Sequence, residues 1–141
     1  MSERRAPPQR ADVFFYGLFM DQELLQSKGL IPRRTEVAWA DGMELVIGQR
    51  AALVPRRGAR AYGVLMSLEI AAVERLYADP AVSAYEPQTV QVHLQSGGTA
   101  LALCYNLPAL STGADRDSGY ADKLRAVAAK VGLPPEYVAS I

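Results

Sequence analysis

Asp12-Val13-Phe14-Phe15-Tyr16-Gly17-Leu18-Phe19-Met20-Asp21 is the stretch on which the fold of this chain turns. An apolar, β-forming run, Val13 to Tyr16, stops abruptly at Gly17, and Asp21-Gln22-Glu23-Leu24-Leu25 then begins a helical pattern. A short strand therefore enters a tight glycine turn, and the turn opens a helix. Such a turn leaves backbone N–H groups free to converge on an anion or a developing oxyanion. Glycine suits a turn this tight because it has no Cβ. Asp21 and Glu23 are accounted for by the preference for negative charge at a helix N-terminus.

Outward from this stretch, β-like segments outnumber helical ones. Val37-Ala38-Trp39-Ala40 and Met43-Glu44-Leu45-Val46-Ile47 are apolar runs split by Asp41-Gly42, a hairpin or bulge signal. Ala51 to Val54 is a short apolar piece stopped by Pro55, and Arg56-Arg57-Gly58-Ala59-Arg60 reads as a basic turn before a strand over Ala61 to Leu68. Ile70, Val73 and Leu76 recur at helical spacing, and Asp79-Pro80 breaks that helix. Tyr85 to Gln95 and Ala100 to Leu107, joined by Ser96-Gly97-Gly98-Thr99, form the strongest hairpin. After a loop of small polar residues from Pro108 to Asp117, Ser118 to Val131 predicts an amphipathic helix capped by Asp117 or Ser118 and ended by Gly132; a last short helix starts near Pro134-Pro135. Short turns between most strands favour an α+β domain with an antiparallel or mixed sheet, such as a small barrel.

The chain has 141 residues, enough for one domain with a real core, and half of them are apolar. Residues 1–11 are expected to be a flexible arm and residues 12–141 the folded domain. Fifteen basic and fifteen acidic side chains cancel, which argues against a general nucleic-acid or anionic-membrane surface. No apolar stretch approaches the roughly 20 residues of a membrane span, and the start lacks the apolar core of a signal peptide, so the expected location is cytoplasmic. The single cysteine, Cys104, lies in an apolar run and reads as a buried, inert thiol. The single histidine, His93, reads as a solvent-facing strand residue. No zinc-ligand spacing is present.

Four blocks in order resemble the γ-glutamylcyclotransferase-like (AIG2-like) family. Tyr16-Gly17-Leu18-Phe19-Met20 is similar to its Tyr-Gly-x-x-Leu/Met signature. Ala52-Leu53-Val54-Pro55, a basic gap and Ala61-Tyr62-Gly63-Val64-Leu65-Met66-Ser67-Leu68 resemble its next block; the strand led by Tyr85 and the tail with Ser118-Gly119-Tyr120 and Gly132-Leu133-Pro134-Pro135-Glu136-Tyr137 complete the likeness. The resemblance implies a small mixed β-barrel with flanking helices and a cavity beside the Tyr-Gly turn. It implies cofactor-free cyclisation of a γ-glutamyl amine or peptide to 5-oxoproline with release of the amine. Tyr16, Gly17, Leu18, Phe19, Tyr85 and Tyr120 would then contact a small-molecule ligand.

One departure matters. The family pattern Leu-Asp-x-x-Glu-Gly, whose glutamate moves the protons, corresponds here to Leu76-Tyr77-Ala78-Asp79-Pro80-Ala81, with Pro80 at the glutamate position. Proline transfers no proton, and losing a general acid/base costs about 10²–10⁴-fold in rate. Asp79, one residue earlier, is the best remaining acid/base; Glu86 is weaker, because strand alternation turns it outward if Tyr85 points inward. Two functions follow: a cyclotransferase that uses Asp79, or a catalytically degenerate relative that binds a small anionic or amino-acid-like ligand. Arg56, Arg57 and Arg60 form a solvated run or attract an anionic ligand to the cavity mouth.

Overall fold

The computed structural model describes residues 9–107 and 117–141. The elements are β1 (Arg10–Phe15), a 3-10 turn (Leu18–Met20), α1 (Gln22–Ser27), β2 (Arg33–Ile47), β3 (Ala51–Glu69), α2 (Ile70–Tyr77), β4 (Glu86–Leu94), β5 (Thr99–Asn106), α3 (Ser118–Lys130) and α4 (Pro135–Ser140). The loop expected over Pro108 to Asp117 lies outside the described residues except at its end. Arg10 and Ala11, expected in the N-terminal arm, are the first residues of β1 and pair with Glu69 and Leu68.

The five strands close into a barrel in the order β1-β3-β2-β4-β5. Neighbours are antiparallel except at the closing seam, where β1 meets β5 in parallel through Val13 and Leu103. The alternating, β-branched-rich pattern of β4 and the apolar run of β5 meet in the expected hairpin, from Glu86 opposite Asn106 to His93 opposite Thr99. Val13, Phe14, Leu65, Met66, Val92 and Cys104 are all but inaccessible and form the centre of the core.

The basic turn is where the sequence reading changes. Residues 51–69 form one strand, with Asp41 opposite Arg60 and the next β2 partner, Met43, opposite Pro55. The basic segment is therefore a bulge inside β3, matched on β2 by Gly42, whose φ of 79° is open to glycine at little cost. Asp41-Gly42 marks a bulge rather than a hairpin.

A second glycine is required by close approach. A Cβ on Gly63 would lie 2.1 Å from the Phe15 carbonyl oxygen and 2.8 Å from the Phe14 ring. Its absence lets β1 lie against β3 and carry Phe15 and Tyr16 to the turn.

Helix ends follow their local signals. Asp21 caps α1 by accepting the Glu23 N–H at 3.0 Å, and Asp117 caps α3 by accepting the Tyr120 N–H at 3.1 Å. Among the described residues no helix is long and apolar enough to cross a membrane.

Candidate functional site

The turn after β1 forms one wall of the site. The Met20 N–H closes on the Gly17 carbonyl and the Asp21 N–H on the Leu18 carbonyl, both at 3.1 Å. The Leu18 and Phe19 N–H groups lie ahead of these bonds, as first-turn donors must. Gly17 has φ −111° and ψ −152°, an extended conformation open to any residue. Its reason is space: a Cβ there would sit 3.3 Å from the Tyr120 hydroxyl. Burial raises the Tyr120 pKa, opposed by the Ala51 and Leu18 N–H groups that face its oxygen. The expected anion cradle is therefore partly filled by a phenol delivered from α3.

Tyr16 is fixed from below. Its hydroxyl lies 3.0 Å from the Tyr105 carbonyl oxygen and 3.0 Å from Asn106 Oδ1, so its one proton has two protein acceptors. Asn106 Oδ1 also accepts the N–H groups of Leu53 at 2.9 Å and Leu107 at 3.0 Å, while Asn106 Nδ2 donates to the Leu53 carbonyl at 2.8 Å. β1 pairs only with Val64 to Glu69 of β3, so the early part of β3 has no strand neighbour from β1. Asn106 offers Leu53 both a donor and an acceptor there, as a strand would. Burial raises the Tyr16 and Tyr85 pKa values, so both phenols remain protonated donors. The Tyr85 hydroxyl donates to the Ala51 carbonyl.

Aromatic packing holds the walls apart. Tyr77 stacks on Tyr105 with centroids 3.9 Å apart and meets the Phe19 ring edge-on at 5.6 Å. Phe19 in turn meets Phe15 edge-on at 6.1 Å. Pairs of this geometry add about 0.5–1.5 kcal/mol each beyond burial.

These groups enclose a cavity of about 400 Å³, within the range of small-molecule sites. Tyr16, Gly17, Leu18, Phe19, Asp79, Tyr85 and Tyr120 all line it. Topology thus gathers residues from the segment that follows β1, the 3-10 turn, the α2–β4 connection and α3.

Among the described lining residues Asp79 is the one carboxylate. It sits in the turn after α2, where its Oδ1 accepts the Ala81 N–H at 2.9 Å and its carbonyl accepts the Val82 N–H at 2.9 Å. Its other carboxylate oxygen has no hydrogen bond among the described residues. Pro80, Glu86, Asp21 and Glu23 do not line the cavity. Asp21 and Glu23 are instead held by the Lys130 ammonium.

Lys28, Arg50 and Arg75 bring positive charge to the wall. The basic bulge does not: Arg56 pairs with Glu44 at 3.6 Å, and Arg60 pairs with Asp41 at 3.0 Å and lies over the Trp39 ring. The same outer cluster takes His93, half-buried rather than freely solvent-facing, stacked on Trp39 and 3.1 Å from Asp41. Cys104 is fully buried away from the cavity, and burial pushes its thiol up to about 12. Among the described residues no group of three His, Cys, Asp or Glu side chains is placed to share a metal ion.

Sequence reasoning missed Asn106, Arg50, Tyr77 and Tyr105. Nothing in their local sequence marks them; only the barrel closure brings β5, the β2–β3 turn and α2 to the same opening.

Residues 13–123 match the profile of the "Gamma-glutamyl cyclotransferase, AIG2-like" family. No curated protein sequence matches the chain at a significant level. Among solved structures, one described as "Gamma-glutamyl cyclotransferase" is 18% identical with a TM-score of 0.76, over 94% of this chain and 86% of that one. YkqA from Bacillus subtilis is 22% identical with a TM-score of 0.75, over 94% of this chain and 52% of that one. A yeast γ-glutamyl cyclotransferase specific to glutathione is 13% identical with a TM-score of 0.62, over 93% of each. Identities this low speak for a shared fold.

Proposed function

This chain belongs to the γ-glutamyl cyclotransferase, AIG2-like family, and we propose that it cyclises a γ-glutamyl amine or peptide to 5-oxoproline, with Asp79 as the proton carrier. The observation that carries this reading is the Asp79 carboxylate on the cavity wall, one residue before the proline that stands where the family pattern has glutamate.

The chemistry asks for little beyond positioning and proton transfer. The α-amine and the γ-carbonyl belong to one substrate, so a pocket that folds the γ-glutamyl chain back on itself makes the attack intramolecular. Asp79 takes a proton from the α-ammonium, the freed nitrogen bonds to the γ-carbon, and the amide C–N bond to the leaving amine breaks. The proton held by Asp79 passes to that amine, and the new ring nitrogen, which still carries two hydrogens, gives up a second proton through the same carboxylate, so that the amine departs as its ammonium. Atoms and charge balance without a co-reactant. The Ala81 N–H fixes one Asp79 oxygen and leaves the other for the proton. The Phe19 N–H at the turn is a donor for the substrate carboxylate or the oxyanion. Tyr77 and Phe19 offer an apolar wall against which the methylene chain packs.

Pro80 favours a second reading, in which the cavity binds a small anionic or amino-acid-like ligand without turning it over. Incubating the purified protein with γ-glutamyl dipeptides, γ-glutamylamines and glutathione, and measuring 5-oxoproline together with thermal stabilisation, separates the two. Release of 5-oxoproline supports the cyclotransferase. Stabilisation without release supports the binding protein, and neither response across the panel refutes both.

A further inference from the structure

We propose that Arg50 selects substrates whose leaving amine carries a carboxylate, so that γ-glutamyl amino acids and peptides are preferred over uncharged γ-glutamylamines. This inference rests on the cyclotransferase reading and deepens it to a substrate class.

Charge on the wall is the first observation. Three cations, Lys28, Arg50 and Arg75, line the cavity together with one carboxylate, Asp79. None of the three cations has an ion-pair partner among the described residues, whereas Arg34, Arg56, Arg60, Arg125 and Lys130 are all paired. A γ-glutamyl group brings one ammonium and one carboxylate, which cancel. The wall therefore keeps an excess of positive charge that a second substrate anion would neutralise.

Position singles out Arg50. A smaller cavity of about 160 Å³ adjoins the main one and shares with it Arg50, Ala81 and Tyr85. Lys28 and Arg75 line only the main cavity, so Arg50 is the cation at the junction among the described residues. Burial raises the Tyr85 and Tyr120 pKa values, and the Arg50 charge offsets part of that rise. Ala81, two residues after Asp79 on the same turn, lines both cavities, so a leaving-group substituent that extends from Asp79 into the smaller cavity meets Arg50. A guanidinium there offers a planar fork that matches a carboxylate.

The test uses a matched pair, γ-glutamylalanine and γ-glutamylethylamine, which differ by one carboxylate on the leaving amine. Wild-type protein is expected to favour γ-glutamylalanine by about 10- to 100-fold in kcat/KM, the range of one charge-assisted hydrogen bond. Arg50→Gln should bring that ratio close to one, and Arg50→Lys should leave it intermediate. A wild-type ratio near one, or an unchanged ratio in Arg50→Gln, overturns the proposal. Calorimetric affinities for the same pair give an independent readout. If neither compound releases 5-oxoproline, the cyclotransferase reading has failed; equal affinities for the pair would then overturn the role of Arg50 as well, while a preference lost in Arg50→Gln would sustain it as a ligand-selecting residue.

Discussion

Replacing Asn106 with leucine should destabilise the protein far more than removing the hydroxyl it binds. Asn106 is 8% exposed, and leucine is close to it in size, so the loss is one of hydrogen bonds rather than packing. After Asn106→Leu, Tyr16 keeps the Tyr105 carbonyl at 3.0 Å, and the N–H of the half-buried Leu107 loses its partner. Leu53 is 2% exposed and loses the side-chain partner of both its N–H and its carbonyl. Each buried group left unpaired costs about 1–3 kcal/mol, so the pair costs about 2–6 kcal/mol. Native stabilities are only about 5–15 kcal/mol. For a chain of this size, at roughly 3–4 °C per kcal/mol, the midpoint should fall by roughly 6–24 °C. Tyr16→Phe should cost only about 0.5–1.5 kcal/mol, because Asn106 Oδ1 retains two N–H donors. Thermal unfolding followed by circular dichroism, with urea midpoints at constant slope, measures both. If Asn106→Leu does not fold, Asn106→Asp, which keeps the acceptor and loses the donor to Leu53, gives an intermediate case. An Asn106→Leu midpoint within about 2 °C of wild type, or a larger loss in Tyr16→Phe, would refute the role of Asn106 as the strand-like partner of Leu53.

Further outcomes follow from the fold. Gly63→Ala would push a methyl against the Phe15 carbonyl oxygen at 2.1 Å, so β1 must shift and the variant should lose about 1–3 kcal/mol or more; an unchanged melting temperature contradicts this. Acid should remove the stabilisation that Asp21 provides. Burial raises its pKa, but the hydrogen bond from Lys130 and the Glu23 N–H outweigh burial and leave the folded value below the ordinary one. This contribution is present above the unfolded pKa of about 3.9 and is lost as pH falls through the lower folded value. The stability gap between wild type and Asp21→Asn should therefore close in acid, and urea midpoints showing a constant gap from neutral pH downward would contradict it.

How much of this was legible in the sequence depended on the range of the interactions. The strand-turn-helix at Tyr16-Gly17, the β4–β5 hairpin and the caps at Asp21 and Asp117 are local, and periodicity with glycine and aspartate signals was enough to find them. The single strand β3 was not legible. Pro55 and Arg56-Arg57-Gly58 look like a stop and a turn, and only pairing with β2 across the bulge keeps the chain extended. At the site, Tyr16 and Asp79 were found through their place in a motif, and both line the cavity. What the motif did not reveal is that the Tyr16 hydroxyl is committed to Tyr105 and Asn106. That partnership spans 90 residues of chain and exists only once the barrel closes. Arg50 was passed over for a related reason: its role arises from two cavities meeting beside it, and the arginine-rich bulge that drew attention faces elsewhere.

The most direct test of the account is the rate of 5-oxoproline release by wild type and Asp79→Asn on the best substrate, with ligand affinity measured alongside. Asp79 is exposed and its capping oxygen can be kept by asparagine, so the variant should fold and bind ligand. If Asp79 carries the proton, kcat should fall by about 10²–10⁴-fold with affinity nearly unchanged. Turnover by Asp79→Asn at the wild-type rate would contradict the central claim.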